Sequence, residues 1–457
     1  MPGESQQDTT RPNDGGGETW IADLAWLGGD SLVADVSLEV TGGEITSVSS
    51  KPGRRGRRLG GIVLPGLVNA HSHAFHRLLR GRTHRQGGDF WLWRERMYEI
   101  AGTLTPESYE KLARAVFVEM AMAGITTVGE FHYLHHQEEG VPYDDPNEMG
   151  NSLVRAARET GVRIALLDAG YFTAGFDNRP LSEVQTRFRD RSAQHWLDRV
   201  DALRAHHDGD ADVVVGYAPH SVRAVPESAL VALANRHQSG TPIHIHMSEQ
   251  PAENRECLAA TTLTPTGLLN RVGLLGPDTT LVHATHVTPD DVETIGRSGS
   301  GVCYCATTER DLGDGVGPAH EFERVRTPLS VGSDSHAVID LFEEARGVEH
   351  HARLATGRRG VFSPAGLLSA ATVNGSASLG FPRGGLSVGS PADFIVLDPD
   401  SPRLAGLDEK TSLDTVVFAA TSADVTEVFV GGRHIVQAGQ HPAWRGARAA
   451  LKDVTGR

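Results

Sequence analysis

The stretch Gly66-Leu67-Val68-Asn69-Ala70-His71-Ser72-His73 closes an apolar run with two histidines two residues apart. In an extended strand, residues i and i+2 point to the same side. Both imidazoles therefore face one way and can chelate one ion, and imidazole nitrogen is a preferred ligand of zinc and its neighbours. Outward from this pair, other apolar runs end in the same kind of group: His244-Ile245-His246, His283, and Asp334 within Val331-Gly332-Ser333-Asp334-Ser335-His336. A chain with 22 histidines contains His-x-His pairs by chance, and most histidines are surface or hydrogen-bonded core residues. The recurrence at strand ends is what favours a metal site, because a barrel enzyme keeps its chemistry there.

Eight short apolar runs predict strands: Ile62 to Asn69, Ile125 to Glu130, Val162 to Asp168, Val213 to Ala218, Pro242 to Met247, Thr280 to His283, Gly301 to Cys305 and Leu329 to Gly332. Between them, 106–123, 149–160, 192–206, 226–237 and 289–297 carry apolar residues at helical spacing. Thr105-Pro106-Glu107 and Thr288-Pro289-Asp290-Asp291 have the chemistry of helix starts. Strand and helix alternating over this length imply a parallel sheet, and eight units predict a closed (β/α)8 TIM barrel. A doubly wound open sheet is the alternative. The barrel is preferred because the polar groups fall on the first, fifth, sixth and eighth strands, and closure sets the first beside the eighth.

The ends of the chain have a different texture of short alternating strands and turns, among them Ser387 to Asp398 and Val425 to Val430 before Gly431-Gly432. They predict a small β-sandwich built from both termini, 18–64 with 386–457, around a barrel of 65–385. Met1 to Gly17 is polar, without the apolar core of a signal peptide or membrane anchor, and reads as a disordered tail.

With 457 residues, the chain is long enough for a barrel with a smaller satellite. A formal net charge of -15 argues against a nucleic-acid surface, which needs a basic face. A small polar metabolite fits better, and an anionic one is not excluded, because two arginines can make a pocket locally positive. Cys257, Cys303 and Cys305 are too few for a disulfide framework, which suggests a reducing interior. Cys303-Tyr304-Cys305 has no second thiol pair and reads as small apolar residues on a buried strand. No apolar run reaches membrane-spanning length, so a soluble cytoplasmic protein without membrane or nucleic-acid partners is expected. Arg54-Arg55-Gly56-Arg57-Arg58 reads as a solvated turn.

These residues resemble the metal-dependent amidohydrolase superfamily over nearly the whole chain, from Pro65-Gly66 to the segment Gly389 to Leu397. Within it, the resemblance narrows to the branch acting on N-formimino-L-glutamate. That rests on Phe90-Trp91-Leu92-Trp93-Arg94-Glu95-Arg96-Met97-Tyr98, Glu130-Phe131-His132-Tyr133-Leu134-His135-His136, Ala218-Pro219-His220-Ser221-Val222-Arg223, His246-Met247-Ser248-Glu249-Gln250, Thr307-Thr308-Glu309 and Leu312-Gly313-Asp314-Gly315. One departure is His76-Arg77 after Ala74-Phe75, where the family pattern carries glutamine and arginine.

By residue chemistry and by resemblance together, His71, His73, His246 and Asp334 would hold one divalent metal, zinc first, with iron and manganese as alternatives. No lysine stands at a strand end to bridge two ions. His244 is expected in the second shell or core. Glu249 would protonate a leaving nitrogen, Asp334 would take the water proton, and His283 would hydrogen-bond the tetrahedral centre or the nucleophilic water, or itself ligate the metal. Glu249 as a helix-start residue and His283 as a structural histidine are the bland alternatives. Arg94, Arg223 and Tyr133 are expected to bind two carboxylates, because a guanidinium fork suits a carboxylate. His220 would assist at the reacting group, and His76 would stand in for the family's glutamine. Phe90, Trp91 and Trp93 read first as lid packing. The paired histidines at 135–136, 206–207 and 350–351 read mostly as surface or helix-end residues.

The implied reaction is hydrolytic deimination of N-formimino-L-glutamate to N-formyl-L-glutamate and ammonia. The alternatives are a nucleobase or triazine deaminase or chlorohydrolase with the same centre, an imidazolonepropionase-like ring opening, and a catalytically silent binding barrel. A homodimer is implied by the resemblance.

Overall fold

The computed structural model describes residues 17–51, 55–84, 90–177, 179–381, 384–408 and 412–454. Eight parallel strands form one sheet: β1 (Leu67–Ser72), β2 (Ile125–His132), β3 (Arg163–Gly170), β4 (Val213–Pro219), β5 (Ile243–Met247), β6 (Thr279–His283), β7 (Gly301–Tyr304) and β8 (Leu329–Val331). Neighbours in space follow chain order. The sheet closes where Ser72 bridges Asp334 in parallel, with His73 N donating to Asp334 O (3.2 Å) and Asp334 N to His71 O (3.0 Å). The barrel expected from the alternation is therefore present, and its last seam joins the first and eighth strands.

The strands are buried on both faces, as helix-covered parallel strands must be. The expected helix starts also hold. Thr105 caps Pro106–Met122 and Thr288 caps Pro289–Ser298, each with reciprocal hydrogen bonds to the third helical residue.

The single run predicted at Ile62 to Asn69 is two strands. Arg57–Pro65 belongs to the terminal sheet, and β1 begins at Leu67. The change of sheet occurs at Gly66, where an added Cβ would lie 2.2 Å from the Thr126 hydroxyl oxygen, so only glycine fits. Apolar periodicity runs through this point unbroken and cannot mark it.

The terminal strands form a seven-stranded sheet in the order Arg433–Val436, Val425–Val430, Phe394–Leu397, Arg57–Pro65, Glu18–Trp26, Leu32–Thr41, Glu44–Ser49. Trp20 packs on Phe394 and Phe429, two and three places away, with ring centroids 5.1 and 5.3 Å apart. In a flat sheet those strands would be roughly 10 and 14 Å distant, so the sheet rolls over its own core of Trp20, Leu38, Val63, Phe394 and Phe429. The expected face-to-face layers of terminal strands thus arise within one continuous sheet. The Met1–Gly17 tail, apart from Gly17, and Arg54 lie outside the described residues. No helix among the described residues is long and apolar enough to cross a membrane.

Candidate active site

Four side chains converge at the C-terminal rim of the barrel. His71 Nε2 and His246 Nε2 are 3.1 Å apart, and His73 Nε2 and His246 Nε2 are 3.3 Å apart. Asp334 Oδ1 lies 3.5 Å from His71 Nε2 and 3.4 Å from His73 Nε2. Donors about 2.0–2.1 Å from a tetrahedral zinc sit roughly 3.3–3.4 Å from each other, and these separations match that edge. His73 Nδ1 meets the carbonyl oxygen of Phe131 and His246 Nδ1 that of His220, both at 2.9 Å. Such bonds fix the tautomer with Nε2 free to ligate. Burial holds His73 and His246 well below the usual imidazole value, so both are neutral at neutral pH, the form in which imidazole can ligate. Burial also lowers His71, against the pull of Asp334. Burial alone would raise the Asp334 carboxyl, but the hydrogen bond and charge of His71 and the charge of His283 outweigh it and leave the group a carboxylate.

His244, on the same strand as His246, donates from Nε2 to Ser378 O (2.8 Å) and stays in the core. Glu249 follows β5 directly, before the Pro251–Thr261 helix whose N-cap is Gln250, and its side chain lines the cavity rather than capping that helix. His283 ends β6, with Nε2 3.8 Å from Glu249 Oε1 and 4.0 Å from Asp334 Oδ2. Burial first, and then the nearby Asp334 charge, raises the Glu249 pKa, with His283 opposing. Ser248, His283, Ala284 and Asp334 all have φ between 42° and 71°. Such left-handed backbone in non-glycine residues costs about 1–3 kcal/mol each and gathers at functional sites.

The cavity is lined by His73, His246, Glu249, His283 and Asp334 on one side and by Arg94, Tyr98, Tyr171 and Arg223 on another. Arg94 stands on the helix Phe90–Thr103, its guanidinium 5.8 Å from the centroid of the Tyr98 ring. Arg223 follows β4, and no hydrogen bond or ion pair of its guanidinium occurs among the described residues, although Glu253 and Glu249 act on it electrostatically. Both arginines also act on the Tyr171 hydroxyl, which places their charges at one end of the cavity. His220 lines it too, its ring 5.0 Å from that of His246. His76 and Tyr133 sit between, joined by a 2.7 Å hydrogen bond, so Tyr133 is engaged by His76 rather than by either arginine. Burial brings His76 and His220 down to about 3, leaving both neutral.

Trp93, expected to pack in a lid, lines the cavity. Residue patterns alone missed Met97, Tyr98, Tyr171, Phe188 and Leu312 as further lining. Phe90 and Trp91 have side chains outside the described residues. His135 and His136, read as surface residues, are buried beside Asp168, Arg199 and Asp190, because the chain after β2 turns inward to bond Arg187 O. His207 and His351 are also buried, whereas His206 and His350 are exposed. The three cysteines are free and buried, as expected, and Cys305 comes close to His283 and Asp334.

The sequence profile of the amidohydrolase family matches residues 62–435, most of the chain and all four proposed ligands. This chain belongs to the amidohydrolase family. Formimidoylglutamate deiminase of Pseudomonas aeruginosa is 38% identical over 410 residues, 87% of this chain and 90% of the relative. The 8-oxoguanine deaminase of the same organism is 31% identical over 404 residues, 86% of this chain and 84% of the relative. Among solved structures, an amidohydrolase from Brucella melitensis superposes with a TM-score of 0.89 at 32% identity, covering 96% of this chain and 99% of that chain. As an amidohydrolase, the protein carries its His71, His73, His246 and Asp334 cradle at the barrel end where family chemistry belongs.

Proposed function

We propose that this amidohydrolase hydrolyses N-formimino-L-glutamate to N-formyl-L-glutamate and ammonia, with one divalent ion, zinc first, held by His71, His73, His246 and Asp334. The observation that carries the substrate assignment is Arg223, a half-buried guanidinium without a hydrogen-bonded partner among the described residues, facing a cavity that also receives Arg94. Glu253 and Glu249 offset its charge without bonding it, and a carboxylate from the substrate would supply the acceptor its fork lacks. The identity with the Pseudomonas deiminase supports the same reading.

When bound, the ion supplies Lewis acidity that brings the ionisation of water toward neutral pH. Asp334, held as a carboxylate, accepts the water proton. Glu249, raised by burial, keeps a proton for the leaving nitrogen. Environments that push two carboxyl groups apart in this way assign the base and the acid. His283 hydrogen-bonds the tetrahedral centre, and His220 steadies the reacting group. His76, in the place of the family's glutamine, orients Tyr133, which with Arg94 and Arg223 forms the carboxylate-binding end. Replacing Arg223 or Arg94 with methionine removes charge-assisted hydrogen bonds of about 1.5–3 kcal/mol, which lowers kcat/KM by roughly 10- to 100-fold through KM. Unchanged kcat/KM in both variants would overturn the substrate assignment.

In this reading 65–385 is the catalytic unit and 18–64 with 386–457 its companion, and limited proteolysis is expected to leave the first as the resistant core. We propose, on the family resemblance, that the protein is a cytoplasmic homodimer. A monomeric mass by light scattering would remove the dimer.

A further inference from the structure

We propose that Glu309 is a positioning residue of this site, and that its carboxylate fixes the His283 imidazole so that Nε2 is the nitrogen offered to the reacting groups. The inference rests on the deiminase reading above. Glu309 belongs to the helix Ala306–Leu312 just beyond β7 and is 1% exposed. Its Oε1 accepts from Cys305 N at 3.1 Å and faces His283 Nδ1 at 3.4 Å, while Oε2 has no hydrogen-bond partner among the described residues.

A carboxylate only accepts, so Nδ1 must carry the hydrogen whether the imidazole is neutral or charged. Nε2, which lies between Glu249 Oε1 (3.8 Å) and Asp334 Oδ2 (4.0 Å), is then the nitrogen whose proton can exchange with those carboxyl groups. Without Glu309 nothing on the Nδ1 side holds the ring, and it can turn Nε2 away from those carboxyl groups. The hold matters here because His283 and Ala284 are both left-handed, at φ 71° and 48°, so regular strand geometry does not aim the ring.

The arrangement also closes the proton cycle. Asp334 takes one proton from the attacking water while Glu249 gives one to the imino nitrogen; Asp334 next takes the proton of the added hydroxyl as the C–N bond breaks, and Glu249 gives a second proton to the departing ammonia. After each of these two exchanges His283 Nε2 gives its proton to Glu249 and takes the one held by Asp334, so both hydrogens of water end on ammonia and all three groups return to their starting forms. No oxidant or co-reactant is required.

A double-mutant cycle tests this. Ammonia release is measured for the wild type, Glu309→Met, Glu309→Gln, His283→Ala and the His283→Ala/Glu309→Met double variant, with metal content and melting temperature followed alongside. Glu309→Met is expected to lower kcat by about 10- to 100-fold, as for other outer partners of site histidines, with KM within threefold and metal retained. Glu309→Gln is expected to recover most of the loss, because Cys305 N–H keeps the amide oxygen where Oε1 was. With His283 already absent, Glu309→Met is expected to change kcat less than twofold. Should Glu309→Met not fold, Glu309→Ala takes its place in the cycle. An equal loss with and without His283, an unchanged kcat, loss of metal, or no recovery in Glu309→Gln would each overturn the inference. A wild-type protein inert toward the formimino substrate would instead remove the deiminase reading and this inference with it.

Discussion

Glu249 and Asp334 face the same cavity with opposite charge preferences, and that difference decides what each can do. Glu249 lies off the metal cradle, so Glu249→Gln is expected to keep its metal and its KM while kcat falls by about 10²–10⁴, the usual size of a general-acid contribution. Steady-state kinetics with metal analysis checks this, and loss of metal would make Glu249 a ligand instead. The convergence of His71, His73 and His246 was legible because strand periodicity sets the side on which they hang, whereas Asp334, beyond the end of β8 and left-handed at φ 42°, was singled out by its place after an apolar run and by the family resemblance. Glu309, His336 and Glu130 were not. Each acts through a partner far away in the chain, as Glu130 does in accepting from Ser72 and Ala74 N, and no local pattern encodes such a pairing.

Strand β8 has three residues and meets β1 through one bridge, so the seam that positions Asp334 needs reinforcement. A buried chain of hydrogen bonds supplies it. Asn69 Nδ2 donates to Ser333 Oγ (2.7 Å), Ser333 Oγ to His336 Nδ1 (2.9 Å), His336 Nε2 to Ser72 Oγ (3.2 Å) and Ser72 Oγ to Glu130 Oε2 (2.6 Å). The Asn69 amide, its oxygen fixed by accepting from Ser333 N at 2.9 Å, gives every link its direction. Ser333→Ala breaks two links and is expected to cost about 1–3 kcal/mol by urea denaturation. Ser330→Ala, which loses only a 3.5 Å contact with Val302 O, serves as the control and should cost less. Gly332 is just as constrained, because an added Cβ would lie 2.7 Å from His71 N, O and Cβ. Gly332→Ala is therefore expected to destabilise by about 1–3 kcal/mol and to weaken metal binding, read by isothermal titration. At this scale the strands and the capped helices were readable from apolar spacing and Thr-Pro starts. The helix Phe90–Thr103 was not, since its apolar residues pack on the cavity and other loops rather than along one barrel-facing stripe.

Across the whole molecule, the terminal sheet is tied to the barrel's lower end by Arg163 at the start of β3, which bonds Asp393 at 2.7 Å and also Asp212. The two-ended origin of that sheet was legible, but its rolling into one sheet depends on contacts between strands distant in sequence. Buried imidazoles set the pH response. His132 and His135 are held well below 6.5 by burial, with Arg199 lowering both further. In the unfolded chain they regain the ordinary value near 6.5, so below that pH the unfolded state binds more protons and stability falls as pH drops. Each contributes about 1.4 kcal/mol per pH unit. Urea midpoints at pH 7, 6 and 5 should fall accordingly, and His132→Leu should lessen the slope.

In the proposed function one hydrolytic metal centre is coupled to a dicarboxylate pocket. This coupling is tested most directly by ammonia release from N-formimino-L-glutamate by the zinc-loaded protein, with N-formimino-L-aspartate and guanine run alongside and a chelator-treated sample as control. Rapid release confined to the formimino amino acids, abolished by chelation and restored by zinc, is the predicted result. Release from guanine alone would contradict the carboxylate pocket and return attention to His76 and the aromatic wall around Trp93.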